Sequence, residues 1–157
     1  MKLLIPVLLF LTIIGCKAPS HKKVDEISIL TDLNGNSLNL NDYNGNVLIL
    51  NIWATWCKPC IAEFESLEKV KEKFSDRNVE IVAVSNEDLK LINSFLNKRK
   101  FDLDFIKLNG DLSYFKAYSL PTTIIFDKSG NENFRLTGGV NFNTKNFIDK
   151  ILDIERL

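Results

Sequence analysis

The segment that most constrains this chain is the nearly unbroken apolar run Val47-Leu48-Ile49-Leu50-Asn51-Ile52-Trp53, followed closely by Trp56-Cys57-Lys58-Pro59-Cys60. A strand apolar at both odd and even positions is covered on both faces, so the run predicts a central strand. Beyond the second cysteine, Ile61, Phe64, Leu67, Val70 or Lys71, and Phe74 recur at helical spacing, which predicts a helix laying one face on that strand. Val79-Glu80-Ile81-Val82-Ala83-Val84 reads as a second buried strand. Ile92, Phe95 and Leu96 then mark a second helix ending in the basic run Lys98-Arg99-Lys100, which suits a helix C-terminus. Strand, helix, strand at this spacing implies parallel pairing through a right-handed crossover.

The flanking segments extend that unit into one α/β domain. Ile27-Ser28-Ile29-Leu30 and Ser37-Leu38-Asn39-Leu40 surround Asn34-Gly35, which predicts a tight N-terminal hairpin because both turn residues tolerate positive φ. Leu103 to Leu108 is a short strand and Asp111 to Tyr118 a short helix. Pro121 interrupts, Thr122-Thr123-Ile124-Ile125-Phe126 is strongly β-prone, and Asp127-Lys128-Ser129-Gly130 turns the chain. Asn133 to Leu136 returns as an antiparallel strand that Gly138-Gly139 ends. From Asn143 to Leu157, Phe147, Ile148, Ile151 and Leu152 define a closing helix. No internal repeat or second domain is visible.

Length and charge remove several function classes. The chain has 157 residues, 45% hydrophobic, with 20 basic against 20 acidic side chains, enough to bury a core and too balanced to attract a phosphate backbone. Nucleic acid is therefore not an expected partner. The first residues are an address rather than part of the fold: Met1-Lys2 precedes Leu3 to Gly15, an apolar run interrupted by Pro6 and Thr12, with the layout of a secretory signal and too short for a membrane-spanning helix. Ile13-Ile14-Gly15-Cys16 resembles the bacterial lipobox, which implies cleavage before Cys16 and lipidation of its sulfur. Residues 1–15 are then a lipoprotein signal, 16–26 a polar, lysine-rich lipidated tether, and 27–157 the folded domain. His21, the only histidine, lies in the tether, so no Cys-His or Ser-His-Asp arrangement can be built inside the domain.

With Cys16 used by the anchor, two cysteines remain, and their setting is chemical. Cys57 falls at the start of the predicted helix, where unpaired N–H groups and the dipole favour an anion, and Cys60 falls three residues on under the same turn. One sulfur is expected to be exposed and acidic, the other shielded. A thiolate so placed has its pKa drawn below the free value of about 8.5, and Lys58 adds positive charge. Pro59 gives up only an N–H that would lack an intrahelical partner. A Cys-x-x-Cys pair in a βαβ context reads as a redox motif. Zinc would need two more ligands that the domain does not offer, so no metal or organic cofactor is expected.

Asn51-Ile52-Trp53-Ala54-Thr55-Trp56-Cys57-Lys58-Pro59-Cys60 resembles the active-site segment of the thioredoxin superfamily, in particular its membrane-tethered TlpA- and ResA-like thiol-disulfide oxidoreductases. Thr31-Asp32-Leu33-Asn34-Gly35 and Leu40-Asn41-Asp42-Tyr43-Asn44-Gly45 resemble that group's N-terminal hairpin and lead-in, so the likeness covers nearly everything after Ile27. It implies a thioredoxin-like fold, a central mixed sheet flanked by helices with an added N-terminal β-hairpin. Leu120-Pro121-Thr122 matches the superfamily's cis-proline loop, which lies across from the cysteines and offers backbone to a bound substrate. Trp53, Trp56 and Pro121 are expected to shape an apolar docking surface, together with Lys58, Pro59, Leu120 and Thr122. Asn51 replaces the buried aspartate of cytoplasmic thioredoxins and so cannot itself carry a proton. Glu63 instead matches an active-site glutamate of the ResA-like branch, and a partly buried carboxylate beside Cys60 would have a raised pKa and could exchange a proton with that thiol. Glu65 stands where these relatives often carry proline, a departure that bears on whether the helix kinks there.

The resemblance implies catalysis by Cys57 and Cys60, with a disulfide-containing protein as substrate and a membrane protein as electron donor. It also implies a lipid-anchored monomer facing the periplasm, with apocytochrome c thiols among the substrates of the group. Three other readings stay open, one of them a purely structural surface lipoprotein in which Cys57→Ser would change no phenotype. A thiol peroxidase would share the N-terminal hairpin, but Thr55-Trp56-Cys57 has the wrong spacing for a Thr-x-x-Cys site. A copper-carrying lipoprotein of the same fold would add a histidine and a wider cysteine spacing.

Overall fold

A computed structural model describes residues 29–157. The expected signal segment, Cys16, His21 and the tether, with Ile27 and Ser28 of the expected first strand, lie outside the described residues. No helix among the described residues is long and apolar enough to cross a membrane.

Among the described residues, seven strands form one mixed sheet in the order β2-β1-β5-β4-β3-β6-β7. They are β1 (Leu30–Asp32), β2 (Ser37–Leu38), β3 (Val47–Ile52), β4 (Val79–Ser85), β5 (Asp104–Leu108), β6 (Thr122–Phe126) and β7 (Glu132–Thr137). The helices are α1 (Lys58–Lys73), α2 (Leu89–Lys98) and α3 (Lys145–Glu155). As the buried run predicted, β3 lies inside the sheet, parallel to β4 and antiparallel to β6, and every one of its residues is buried. Strand alternation divides the core. Val47 and Ile49 point to the face that α1 covers with Phe64, Leu67 and Val70, whereas Leu48, Leu50 and Ile52 point to the opposite face with Val82, Ile106 and Ile124. The helix runs through Glu65 without a break, and that exposed carboxylate pairs with Lys69 one turn on.

Three expectations are corrected. The segment 111–118 holds only a single 3-10 turn, Leu112–Phe115, because Lys116 takes a left-handed conformation and closes it. The β1–β2 connection is longer than a tight two-residue hairpin. Gly35 alone takes positive φ, while the Asp32 carboxylate accepts from the N–H groups of both Asn34 and Asn36, each at 2.8 Å, so a side chain organises the turn. The third concerns Trp53, which is fully buried rather than part of a docking surface. It continues the odd-numbered face of β3, and its ring meets Phe64, Phe95 and Phe105 at centroid distances of 5.2, 5.5 and 5.4 Å. Trp53→Phe should therefore act on stability alone. The lost ring volume costs about 2 kcal/mol by area. Because the indole N–H it also removes has no acceptor among the described residues, the net loss in a urea titration should be about 1 kcal/mol.

Candidate active site

The chain leaves β3 through Trp53 and Ala54, turns at Thr55-Trp56, and enters α1 at Cys57, the N-cap residue. Cys57 Sγ accepts from the Cys60 backbone N–H at 3.3 Å, so the sulfur occupies the position where a helix start stabilises negative charge. Cys57 and Cys60 are joined as a disulfide. The expected division into one exposed and one shielded sulfur is corrected: Cys57 is only 4% exposed and Cys60 fully buried. The cap position folds the Cys57 side chain back over the first helical turn. What stands in solvent beside it is Trp56, 71% exposed, with Lys58 and Pro59 also exposed.

The Leu120-Pro121 peptide bond is cis. Antiparallel pairing of Ile52 with Thr122 carries Leu120-Pro121 alongside Trp53-Ala54, at the entrance to the cysteine loop. Leu120 is half-buried, whereas Pro121 and Thr122 are buried. Pro121 offers its carbonyl to the Gly138 N–H and Thr122 donates its hydroxyl to the Ser119 carbonyl, so both support the loop and are not surface. Of the expected docking residues, Trp56, Lys58, Pro59 and Leu120 keep accessible surface.

Glu63, one turn after Cys60, is 4% exposed and shares the inward face of α1 with it. Its Oε1 accepts from Asn51 Nδ2 at 2.7 Å and its Oε2 from the Val140 backbone N–H at 3.0 Å. Burial pushes its pKa from 4.5 up to about 7, against the opposing pull of the Val140 and Asn51 bonds. Asn51 donates again to Thr123 Oγ1 at 2.9 Å. The loop bearing Val140 is held to α1 by Ser66, whose hydroxyl donates to the Glu63 carbonyl and accepts from the Phe142 N–H. Between this loop and α1 lies a cavity of about 470 Å³ that Glu63 lines together with Pro59, Glu65, Lys69 and Asn141.

Sequence reasoning missed Glu87. Its carboxylate accepts from the Thr55 N–H at 2.6 Å and the Thr55 hydroxyl at 2.9 Å, clamping the turn that presents Trp56. The parallel register is the signal that could have found it: Ile52 pairs with Val84, and the same offset puts Thr55 beside Glu87. Hydrogen bonds to a charged group contribute about 1.5–3 kcal/mol, less at this half-buried carboxylate, so Glu87→Ala should cost about 1–2 kcal/mol in urea titration. The Thr55 amide should also lose protection from hydrogen exchange while the core strands keep theirs.

Comparison with known proteins agrees with this geometry. Residues 14–135 match the model of the AhpC/TSA family. The chain belongs to the AhpC/TSA family. Within it, the chain is 35% identical over 130 residues to the thiol-disulfide oxidoreductase ResA of Geobacillus kaustophilus, spanning 80% of this chain and 72% of that one. It is 31% identical over 122 residues to ResA of Bacillus thuringiensis, spanning 74% of this chain and 65%, under two thirds, of that relative's length. Among solved structures, a thioredoxin-related protein of Neisseria meningitidis serogroup B superposes with a TM-score of 0.68 at 23% identity, over 79% of this chain and 98% of that one. The thioredoxin domain of a thiol-disulfide oxidoreductase of Bacteroides vulgatus gives 0.65 at 21% identity, over 79% and 89%. These likenesses establish the thioredoxin-like fold of this AhpC/TSA family member.

Proposed function

We propose that this protein is a thiol-disulfide oxidoreductase that reduces protein disulfides outside the cytoplasm through Cys57 and Cys60. The observation that carries the reading is the Cys57–Cys60 disulfide at the N-cap of α1, with the buried carboxyl of Glu63, its pKa pushed up to about 7, one turn behind it. The name of the curated relatives supports it. In the reduced protein, the Cys57 thiolate attacks one sulfur of a substrate disulfide, forming a mixed disulfide and releasing the other substrate sulfur as thiolate. Cys60 gives its proton to the Glu63 carboxylate and attacks Cys57 Sγ. The second substrate thiolate leaves, and the Cys57–Cys60 disulfide closes. The substrate docks over Trp56, Pro59 and Leu120.

A donor dithiol must reopen the disulfide for the next cycle. We assign that role to a membrane electron donor, the anchoring to a lipid on Cys16 in the cell envelope facing the periplasm, and the substrate class to disulfide-bearing proteins such as apocytochromes. The protein acts as a monomer. The test is a glutathione or dithiothreitol redox titration followed by Trp56 fluorescence. A midpoint near or below about −270 mV is expected for a reductant. A value nearer about −120 mV would reverse the direction to disulfide donation, and absence of a reversible couple would remove the reading.

A further inference from the structure

We propose that the rim of the sheet bearing the cysteines is the rim turned toward the bilayer, where it meets the donor dithiol of a protein seated in that same bilayer. The proposal rests on the lipid at Cys16 and the thiol chemistry of the function proposed above, and adds the orientation in which they act.

The register of the sheet sets the geometry. β3, β4 and β5 run parallel, so their C-terminal ends share one rim, and Ile52, Val84 and Ile106 stand at one level. Three residues further on are Thr55, Glu87 and Asn109. The Glu87 carboxylate accepts from the Thr55 N–H, and Lys107 Nζ donates to the Glu87 carbonyl at 3.0 Å, so these segments stay side by side beyond the strands. β1 is antiparallel to β5, with Leu30 beside Leu108, and the Ile29 carbonyl accepts from the Asn109 N–H at 2.7 Å. The chain therefore enters the domain level with Thr55, on the cysteine rim. Two strands separate β1 from β3, which at about 4.8 Å per strand puts the entry about 14 Å from the cysteine loop.

Thirteen residue steps lead from Cys16 to Ile29, and no conformation stretches them beyond about 47 Å. A domain fastened at one pole holds that pole nearest the surface, because the surface excludes the orientations that would put the rest of the domain beneath it. The cysteine rim is thus the near one, and the opposite rim, beyond the six residues of β3, stands about 17 Å further out. Of the large apolar side chains exposed among the described residues, Trp56, Leu91, Tyr114 and Tyr118 lie in segments that leave or enter the cysteine rim, and only Leu157 does not. Exposed Trp and Tyr suit a protein contact. The charges beside them, Lys58, Lys90 and Lys116 with Glu87, Asp88 and Asp111, are mixed in sign and form no basic cluster for anionic headgroups. At this rim one donor thiolate attacks Cys57 Sγ and frees Cys60, and the donor's second thiol then displaces Cys57. Two electrons and two protons pass to the protein as the donor dithiol becomes a disulfide.

The test places the full-length, lipidated, isotope-labelled protein on phospholipid nanodiscs carrying a gadolinium chelate on a headgroup. The amide signals of Thr55, Asn109 and Tyr118 should broaden several-fold more than those of Asn78 and Ser129 at the opposite rim. Equal broadening at the two rims, or the reverse, would overturn the proposal. A second protein, Cys16→Ser, is held to nickel-chelating lipid by a histidine tag after Leu157, which the Arg77–Glu155 pair places at the opposite rim. Its broadening pattern should invert. A pattern that does not invert would show the cysteine rim docking on lipid by itself and overturn the assignment to a protein partner. With a dithiol peptide linked to a headgroup by a short spacer, the natively anchored disulfide should be reduced at least about tenfold faster than the tagged one, because the spacer cannot span to a far rim. Equal rates would overturn the proposal. The readings it rests on fail differently: a Cys16 that carries no lipid by mass spectrometry removes the anchoring and this inference together, whereas a disulfide that dithiothreitol cannot open removes the oxidoreductase reading whatever the orientation.

Discussion

Cys60→Ser protein mixed with a disulfide-bearing protein is expected to accumulate as a covalent adduct through Cys57, while Cys57→Ser forms no adduct and reduces disulfides at a rate at least ~10³-fold below the unmodified protein. The asymmetry follows from the helix start. Cys57 Sγ is the cap atom that accepts the Cys60 N–H, so its anion is stabilised, and it adjoins the exposed Trp56. Cys60 is fully buried beneath the first turn, where no external disulfide can reach it in line. Without Cys60 the mixed disulfide has no internal thiol to release it. Both proteins should carry Cys16→Ser, so that the remaining thiol is the one under test, and mass spectrometry locates the adduct. Equal turnover by Cys60→Ser and the unmodified protein would sink the assignment of roles, as would an adduct forming on Cys60 in Cys57→Ser.

The second large effect concerns stability. Glu63 has a folded-state pKa of about 7 against an ordinary 4.5, so the folded protein holds this proton more tightly than the unfolded chain does. The resulting stabilisation is fully present below about pH 4.5 and is lost as pH rises through 7. At about 1.4 kcal/mol per pH unit, its ceiling is roughly 3 kcal/mol. Urea midpoints of the disulfide form should fall between pH 5 and 8, and Glu63→Gln should flatten the profile and exceed the unmodified protein at pH 8. The window excludes the surface carboxylates of Asp32, Asp111 and Asp127, whose lowered pKa values make them lose their contribution only in acid. Parallel profiles for the two proteins would show that Glu63 is not the group responsible.

The parts of this site that were legible in the sequence are those in which neighbours along the chain do the work. The continuous run of β3 announced a strand buried on both sides, Cys57-Lys58-Pro59-Cys60 announced a helix start, and the one-turn spacing of Cys60 and Glu63 announced a shared face. The run itself hid the orientation of Trp53: its polar residue, Asn51, shares the odd-numbered face with Trp53 and is buried there against Glu63 and Thr123, so polarity pointed away from the face that α1 covers. Asn51 was read only for the proton it lacks. Its partners Glu63 and Thr123 lie 12 and 72 residues away, and the Val140 N–H reaches Glu63 across 77. Glu87 reaches Thr55 across 32 residues, and no local pattern distinguishes it from any solvated glutamate.

The Glu63 carboxylate is fixed on one side by a side chain and on the other by main chain, and these two supports differ in what genetic drift can do to them. Any residue but proline at position 140 supplies the same N–H, so the bond survives any substitution whose side chain still packs against the core as that of Val140 does. Position 51 has less latitude: a residue there keeps the contact only if its side chain carries a donor that reaches Glu63 Oε1. Two contacts of similar length around one oxygen pair are therefore of unequal evolutionary durability, and the fold places the durable one on the loop that closes over the helix and the fragile one in the strand at the centre of its core.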